Sequence, residues 1–250
     1  MTYIDIHCHL EMIEKEGIGA EKAVERAKKK NVKIVWAGIK PETNKRIIKE
    51  YGKYENIYAC PGLYPIDALS LSDREINDEM EFIEKNKDKI IAIGEVGLDF
   101  KEDLKEHKRQ EEIFRKIIRM AKEINKPIVV HSRKAEERCI EILEEEKAKK
   151  VIMHCFSGGL KLVNRIIENE WLLSIPTSVK NSEHFQKIIE MTPIEQLLCE
   201  TDSPYLHPDK KFPNLPENVV VSYEKIAEIK HISLKEVERE VEGNFEKLVR

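Results

Sequence analysis

Residues 127–154, PIVVHSRKAEERCIEILEEEKAKKVIMH, contain the pattern that decides the fold. Two short β-branched runs, Pro127–His131 and Lys150–His154, flank a charged segment of helical period, Ala135–Glu146. Runs of this length that are rich in Ile and Val are typical of strands buried on both faces. Because a long crossover separates them, the stretch predicts a strand–helix–strand unit with parallel strands.

The same alternation continues in both directions along the chain. Six further apolar runs predict strands: Tyr3–His7, Lys33–Ala37, Ile57–Cys60, Ile90–Glu95, Trp171–Ile175 and Gln196–Cys199. Further helix-period segments are Ala20–Lys30, Asp73–Asn86 and Arg109–Ile124, and Ser72/Glu75 and Ser233/Glu236 have the spacing of capping boxes. Eight strand–helix repeats predict a (β/α)8 TIM barrel, with one domain over residues 1–250. An open doubly wound sheet is the competing fold, but no G-x-G-x-x-G follows the first strand.

Composition excludes several classes of protein. The 250 residues include 43 basic and 47 acidic side chains, a net charge of −4, which argues against a broad phosphate-binding surface. No apolar run approaches the roughly 20 residues of a membrane span, and the first residues lack the pattern of a signal peptide. Five cysteines without a C-x-x-C pair indicate a reduced, cytoplasmic protein. We expect no membrane contact and no obligate protein partner.

Polar side chains follow the predicted strands. His7 and His9 close the first strand, Glu95 the fourth, His131 the fifth and His154 the sixth, and Asp202 follows the eighth. On a closed barrel, the carboxyl ends of the strands converge at the face where barrels build active sites. Imidazoles and carboxylates together are a ligand set for divalent metals, and six of them exceed the needs of one catalytic ion. The sequence therefore predicts two ions, bridged by a carboxylate.

Five segments resemble the successive motifs of the TatD family of metal-dependent hydrolases. They are residues 5–11 (DIHCHLE), 94–100 (GEVGLDF), 127–133 (PIVVHSR), 154–158 (HCFSG) and 200–206 (ETDSPYL), in the order and spacing of that family. Members of the family are barrels, and the characterised ones are deoxyribonucleases. The resemblance implies hydrolysis of DNA at the barrel mouth with Mg²⁺ or Mn²⁺, although a site so rich in histidine also suits Zn²⁺.

With this family pattern, the six side chains divide between two ions. We assign His7, His9, Glu95 and Asp202 to one ion, and Glu95, His131 and His154 to the other. Glu95 would bridge the ions, and Asp202 would accept the proton of the attacking water. Glu200 is expected to orient a histidine.

Substrate contacts are less defined by the sequence. Ser132, Arg133, Ser157 and Tyr205 are the candidates, and for Arg133 the alternative is an ion pair with Glu95. The segment after the third strand departs from the family, because Tyr64 and Ile66 stand where many relatives carry histidines. Two other functions stay open: hydrolysis of another ester or amide, such as deacylation of aminoacyl-tRNA, and metal binding without turnover.

Overall fold

The computed structural model of the chain describes residues 2–249. Eight strands alternate with helices, in the order that the sequence predicts. The strands are β1 (Tyr3–Cys8), β2 (Val32–Ala37), β3 (Ile57–Cys60), β4 (Ile93–Asp99), β5 (Ile128–Arg133), β6 (Val151–Met153), β7 (Leu172–Pro176) and β8 (Leu197–Glu200). The helices are α1 (Leu10–Lys15), α2 (Ala20–Lys29), α3 (Pro41–Glu50), α4 (Pro65–Leu69), α5 (Asp73–Lys85), α6 (His107–Glu123), α7 (Glu136–Glu145), α8 (Leu160–Glu168), α9 (Glu183–Met191), α10 (Val220–Lys230) and α11 (Leu234–Val249).

The strands form two parallel hydrogen-bonded sheets, β1-β2-β3 and β4-β5-β6-β7-β8, that meet at two seams. At the β8/β1 seam, the Asp202 amide donates to the His7 carbonyl at 3.0 Å. At the β3/β4 seam, the Ile91 amide donates to the Ala59 carbonyl at 3.0 Å, and the Gly94 amide donates to the Pro61 carbonyl at 3.0 Å. The two seams close the sheet, and the predicted (β/α)8 barrel is confirmed. All eight strands share this barrel, so we retain one domain over residues 1–250 as a proposal.

The fourth strand differs from its prediction. It was expected over Ile90–Glu95, but it runs from Ile93 to Asp99, and its register to β5 shifts between Ile93 and Val96. Gly97 has a φ of +141°, and a Cβ at this position would lie 2.0 Å from the His131 carbonyl oxygen. The sequence GEVGLD lacks a run of β-branched residues, which hides the strand. Glu95 therefore lies inside β4 and not at its end.

Helix α6 shows how the helices pack on the barrel. Ile113, Ile117 and Met120 are buried and Ile124 is half-buried, as their 3–4 spacing predicts. Full burial of such a side chain stabilises the fold by about 1.5–3 kcal/mol.

Both predicted capping boxes form. The Ser72 hydroxyl accepts from the Glu75 amide at 3.3 Å, while the Glu75 carboxylate accepts from the Ser72 amide at 2.8 Å. Ser233 and Glu236 make the same reciprocal pair. Among residues 2–249, none of the helices combines the length and the apolar composition that crossing a lipid bilayer requires.

Candidate metal centre

The structure brings all six predicted ligands together at the carboxyl ends of the strands, around Glu95. One carboxylate oxygen, Oε2, lies 3.5 Å from His7 Nε2 and 3.4 Å from His9 Nε2. The other, Oε1, lies 2.6 Å from His131 Nδ1 and 3.5 Å from His154 Nε2. Glu95 thus presents one oxygen to each of two pairs of imidazoles. Three sets of candidate ligand atoms each lie within 4.8 Å of one another: His7, His9 and Glu95; His7, His154 and Asp202; and Glu95, His131 and His154.

Asp202 lies between the two pairs. Its Oδ1 is 3.8 Å from His7 Nε2 and 3.7 Å from His9 Nε2, and it also groups with His7 and His154 within 4.8 Å. Its backbone has a φ of +52°, which is uncommon outside glycine and which aspartate tolerates better than most residues. Asp202 lies just after the end of β8. The hydrogen bond from its amide to the His7 carbonyl, at the barrel seam, holds this conformation.

The β1 histidines are held from the opposite side by β2. His9 Nδ1 lies 3.2 Å from the Ala37 carbonyl, which requires the proton on Nδ1 and leaves Nε2 free to bind a cation. Trp36 Nε1 donates to Glu11 Oε2 at 2.7 Å, and the other oxygen of Glu11 lies 3.9 Å from His9 Nδ1. The ring of His7 stacks on that of His154 at 3.9 Å between centroids.

Burial and neighbouring charge set the protonation of these groups. Burial and the adjacent His154 ring lower the pKa of His7 well below its usual value, so its ring is neutral. Burial alone would raise the pKa of Glu95, but the surrounding imidazoles hold it well below its ordinary range. Burial raises the pKa of Asp202 to about 6, with His154 and His9 opposing the increase. For His9, the effect of burial is outweighed by nearby carboxylates, which raise its pKa to about 9.

The donor set fits a divalent cation. Among residues 2–249, the ion pairs of Glu95 and Asp202 are all with histidines, and none is with a lysine or arginine. A buried carboxylate requires a positive partner. Imidazole nitrogens and carboxylate oxygens that converge in this way are the ligands of Zn²⁺, Mn²⁺ and related ions, which replace the protons of the imidazoles when they bind.

Two further carboxylates orient the histidines from behind. Glu200, which is fully buried, accepts from His154 Nδ1 at 3.0 Å, as expected from the sequence. Asp99, also fully buried, lies 3.0 Å from His131 Nε2 and accepts from the Tyr64 hydroxyl at 2.8 Å. The sequence interpretation missed Asp99, although its position four residues after Glu95 in the same motif was an available signal. Tyr64 thus contacts the site through Asp99.

Comparison with known proteins identifies the family of this chain. The chain matches the family model described as TatD related DNase over residues 4–250. The chain belongs to the TatD family. The resemblance of its five motifs is therefore confirmed.

Two relatives cover most of the chain. A protein of Methanocaldococcus jannaschii named "uncharacterized metal-dependent hydrolase MJ1582" is 39% identical over 95% of this chain and 92% of its own length. The human protein named deoxyribonuclease TATDN3 is 34% identical over 94% of this chain and 89% of its own.

Two solved structures share the barrel. The TatD homologue YjjV of Escherichia coli superposes with a TM-score of 0.91 at 25% identity, covering 98% of this chain and 97% of its own. A TatD family hydrolase of Entamoeba histolytica gives a TM-score of 0.88 at 22% identity, covering 99% of this chain and 98% of its own, and shares the fold alone.

The candidate substrate contacts of this TatD-family protein line a cavity of about 560 Å³ above Glu95. Ser132 is buried at its wall, and Tyr205 is half-exposed at its rim. Ser157 donates to Glu136 at 2.9 Å. The alternative pairing of Arg133 with Glu95 is wrong: Arg133 Nη1 lies 3.1 Å from Glu102 Oε1, because the side chain points outward along the rim. The cavity brings these four side chains to one opening.

Proposed function

We propose that this TatD-family protein is a two-metal deoxyribonuclease that hydrolyses phosphodiester bonds at single-stranded DNA ends. The observation that carries the proposal is the position of Glu95, which presents one oxygen to His7 and His9 and the other to His131 and His154. This is the arrangement expected of a carboxylate that bridges two ions.

His7, His9, Glu95 and Asp202 would hold one divalent ion, with Glu95, His131 and His154 holding the other. Mg²⁺ or Mn²⁺ is the proposed physiological ion, with Zn²⁺ as a competitor for the histidines. The bound ions would supply Lewis acidity at the phosphoryl oxygens and a lower pKa for a water molecule.

The side chains of the protein supply the proton transfer and the exclusion of solvent. Asp202 lies at the open side of the cluster, and a pKa near 6 leaves its carboxylate ionised at neutral pH yet able to accept a proton. Glu95 keeps its charge throughout, because the surrounding imidazoles stabilise the anion. Asp202 therefore acts as the general base and Glu95 as the permanent anion of the site.

The charge of the protein supports a substrate bound locally. Arg133 is the arginine that lines the cavity, and its Nη1 already donates to Glu102. A duplex needs many neutralised phosphates for tight binding, and a net charge of −4 does not supply them. A single terminal nucleotide can instead enter the cavity, where Ser132, Ser157 and Tyr205 could contact it.

Turnover of a mixed panel tests the proposal. Single-stranded DNA, linear duplex, closed circular duplex, RNA, aminoacyl-tRNA and lactones are each supplied with Mg²⁺, Mn²⁺ or Zn²⁺. We expect linear single strands to be degraded faster than closed circular duplex. Preferred hydrolysis of aminoacyl-tRNA or a lactone would establish the alternative ester hydrolase, and metal binding without any turnover would establish the non-catalytic alternative.

Metal content tests the two-site assignment separately. Saturated wild-type protein should contain two ions per chain, while His131→Ala should lose the ion held with Glu95 and His154. His231 is exposed and has a φ of +55°, so His231→Asn removes a histidine without disturbing the centre and should retain both ions. A wild-type content of one ion or fewer under saturating metal would refute the two-site proposal.

We also propose a cytoplasmic location. The five cysteines are free thiols, and four of them are buried, which supports a reducing compartment. Cell fractionation with a compartment marker tests this, and recovery of the protein outside the cytoplasm would contradict it.

A further inference from the structure

Two aromatic side chains stand exposed next to the metal centre. Tyr205 is 48% exposed and Phe212 is 55% exposed, although large aromatic rings contribute most to stability when they are buried. Their ring centroids are 6.3 Å apart and their planes are inclined by 40°. We refer to Tyr205 and Phe212 as the aromatic pair.

The loop that carries the aromatic pair is anchored at both ends. Asn214 is fully buried, its amide donates to the Pro204 carbonyl at 2.7 Å, and its side chain donates to the Thr201 carbonyl at 3.0 Å. The Thr177 hydroxyl donates to the Leu206 carbonyl at 2.7 Å. These bonds fix the backbone of the loop in the absence of a ligand, which lowers the entropy cost of ordering the loop when a ligand binds.

The aromatic pair continues the proposed active site outward. The Tyr205 amide donates to the carbonyl of Asp202 at 2.9 Å, and the Tyr205 ring lines the same cavity as His9 and Asp202. Phe212 lies farther along the same loop, beside Tyr205. The aromatic pair therefore extends from the wall of the cavity, at Tyr205, to the surface outside it, at Phe212.

The Phe212 end of the aromatic pair lies next to positive charge, whereas the Tyr205 end lies near carboxylates, among them Asp202. Lys210 and Lys211 are exposed and precede Phe212 directly. The one nearby carboxylate in this segment, Asp209, is neutralised by Lys180, with 2.6 Å between Nζ and Oδ1. Exposed rings flanked by lysines are the combination that binds single-stranded nucleic acids, because bases stack on the rings and phosphates contact the cations.

We propose that the aromatic pair is a stacking site for unpaired bases of a nucleic-acid strand whose end occupies the metal centre. This inference rests on the proposed deoxyribonuclease function and specifies its substrate as a strand at least a few nucleotides long. Stacking requires an open base face, so the site selects single strands over duplex. The lysines contact the backbone of the same strand.

Fluorescence of a stacked base tests the proposal on the metal-loaded protein. The probe is a single-stranded oligonucleotide with phosphorothioate linkages, which slow its hydrolysis, and with 2-aminopurine at successive positions from one end. We expect quenching at the positions that reach the aromatic pair. Phe212→Ala should raise the Kd about 5- to 150-fold, the equivalent of 1–3 kcal/mol for one stacked base, and Phe212→Trp should restore both the quenching and the affinity.

A matched control separates stacking from a general loss of apolar surface. Met191 is also an exposed apolar side chain, at the end of α9, and Met191→Ala should leave the Kd within about twofold of wild type. Wild type should hydrolyse bis(4-nitrophenyl) phosphate, a small phosphodiester without a base, and wild type and Phe212→Ala should bind the same number of Mn²⁺ ions per chain. That result shows that the metal centre is intact in the variant.

The outcomes distinguish this inference from the proposed function. If Phe212→Ala binds the oligonucleotide as wild type does, the stacking site is refuted while the nuclease proposal stands. If wild type hydrolyses neither the diester nor DNA with any metal, the proposed function itself fails. If the wild-type protein is a dimer in sedimentation and Phe212→Ala is a monomer, the aromatic pair binds a second copy of the chain, which also refutes the stacking site.

Discussion

Glu200→Gln should weaken one metal position by about tenfold without unfolding the barrel. Glu200 is fully buried, and its Oε2 accepts from His154 Nδ1 at 3.0 Å and from the Ser174 hydroxyl at 2.5 Å. This contact holds the proton on Nδ1 and directs the Nε2 lone pair toward Glu95. Glutamine has the same shape but no charge, so the orientation of the ring depends on a neutral hydrogen bond.

The magnitude follows from that single change. A hydrogen bond to a charged group is worth about 1.5–3 kcal/mol, and a neutral one about 0.5–1.5 kcal/mol. The difference of about 1–1.5 kcal/mol corresponds to roughly 5- to 12-fold in affinity. This agrees with the lower end of the 10- to 100-fold loss typical of residues that orient metal-binding histidines.

Calorimetric titration with Mn²⁺ measures the two dissociation constants. The position built from Glu95, His131 and His154 should weaken about tenfold, whereas the position built on His7 and His9 should change little. Ser174→Ala removes the other donor and keeps the carboxylate, so its affinity should stay near wild type. If Ser174→Ala loosens the ion and Glu200→Gln does not, Glu200 does not act through His154 as argued.

Three further predictions use other parts of the molecule. Asp202→Asn should lower kcat by about 10²–10⁴-fold while the protein keeps at least one ion, whereas Glu95→Gln should lose both ions. Turnover and metal content are measured on both variants. Equal loss of metal in the two variants would contradict the division of roles. Tyr64→Phe removes the hydroxyl that donates to Asp99 and should weaken Mn²⁺ at the position of the β5 histidine, by less than about tenfold; an unchanged titration would show that this contact does not support the metal centre. The bond from Arg119 lowers the pKa of Glu146 from 4.5 to about 2, so its contribution to stability is present above pH 4.5 and is lost as the pH falls toward 2. The free energy of unfolding, measured with urea, should therefore change less between pH 4.5 and pH 2 in Glu146→Gln than in wild type. The same dependence on pH in both proteins would refute the assignment.

The sequence predicted the elements whose signal is local. Seven of the eight strands lie within two residues of their predicted ends, because short runs such as 151–153 consist of buried apolar side chains. The fourth strand was misplaced, since Gly94 and Gly97 break the apolar pattern and Ile90 pairs only as an isolated bridge with Ala59. The reason is physical: the close approach of β4 to β5 at Gly97 is a tertiary requirement that no local propensity expresses.

The same distinction between local signals and tertiary contacts applies to the candidate site. The histidines could be found because a strand end on a barrel specifies where a side chain goes. The contact of Tyr64 with Asp99 could not, because it joins residues 35 positions apart and depends on how the loop after β3 lies over the end of β4. For the same reason, the sequence offers Glu95 as the alternative partner of Arg133, whereas the structure pairs Arg133 with Glu102.

The proposed metal centre and the opening around it place different requirements on the positions of their side chains. The proposed metal ligands lie on strands or shortly after them, where backbone hydrogen bonds hold them in fixed positions, and a metal centre requires that precision. Arg133, Ser157 and Tyr205 lie at strand ends and in the following segments, where side chains can change without disturbing the barrel. Residues around the opening can therefore change while the proposed metal ligands stay in place. Substrate choice in this protein should accordingly be sought in the rim and the loop after β8, whereas we propose that Glu95, Asp202 and the four histidines set the reaction class.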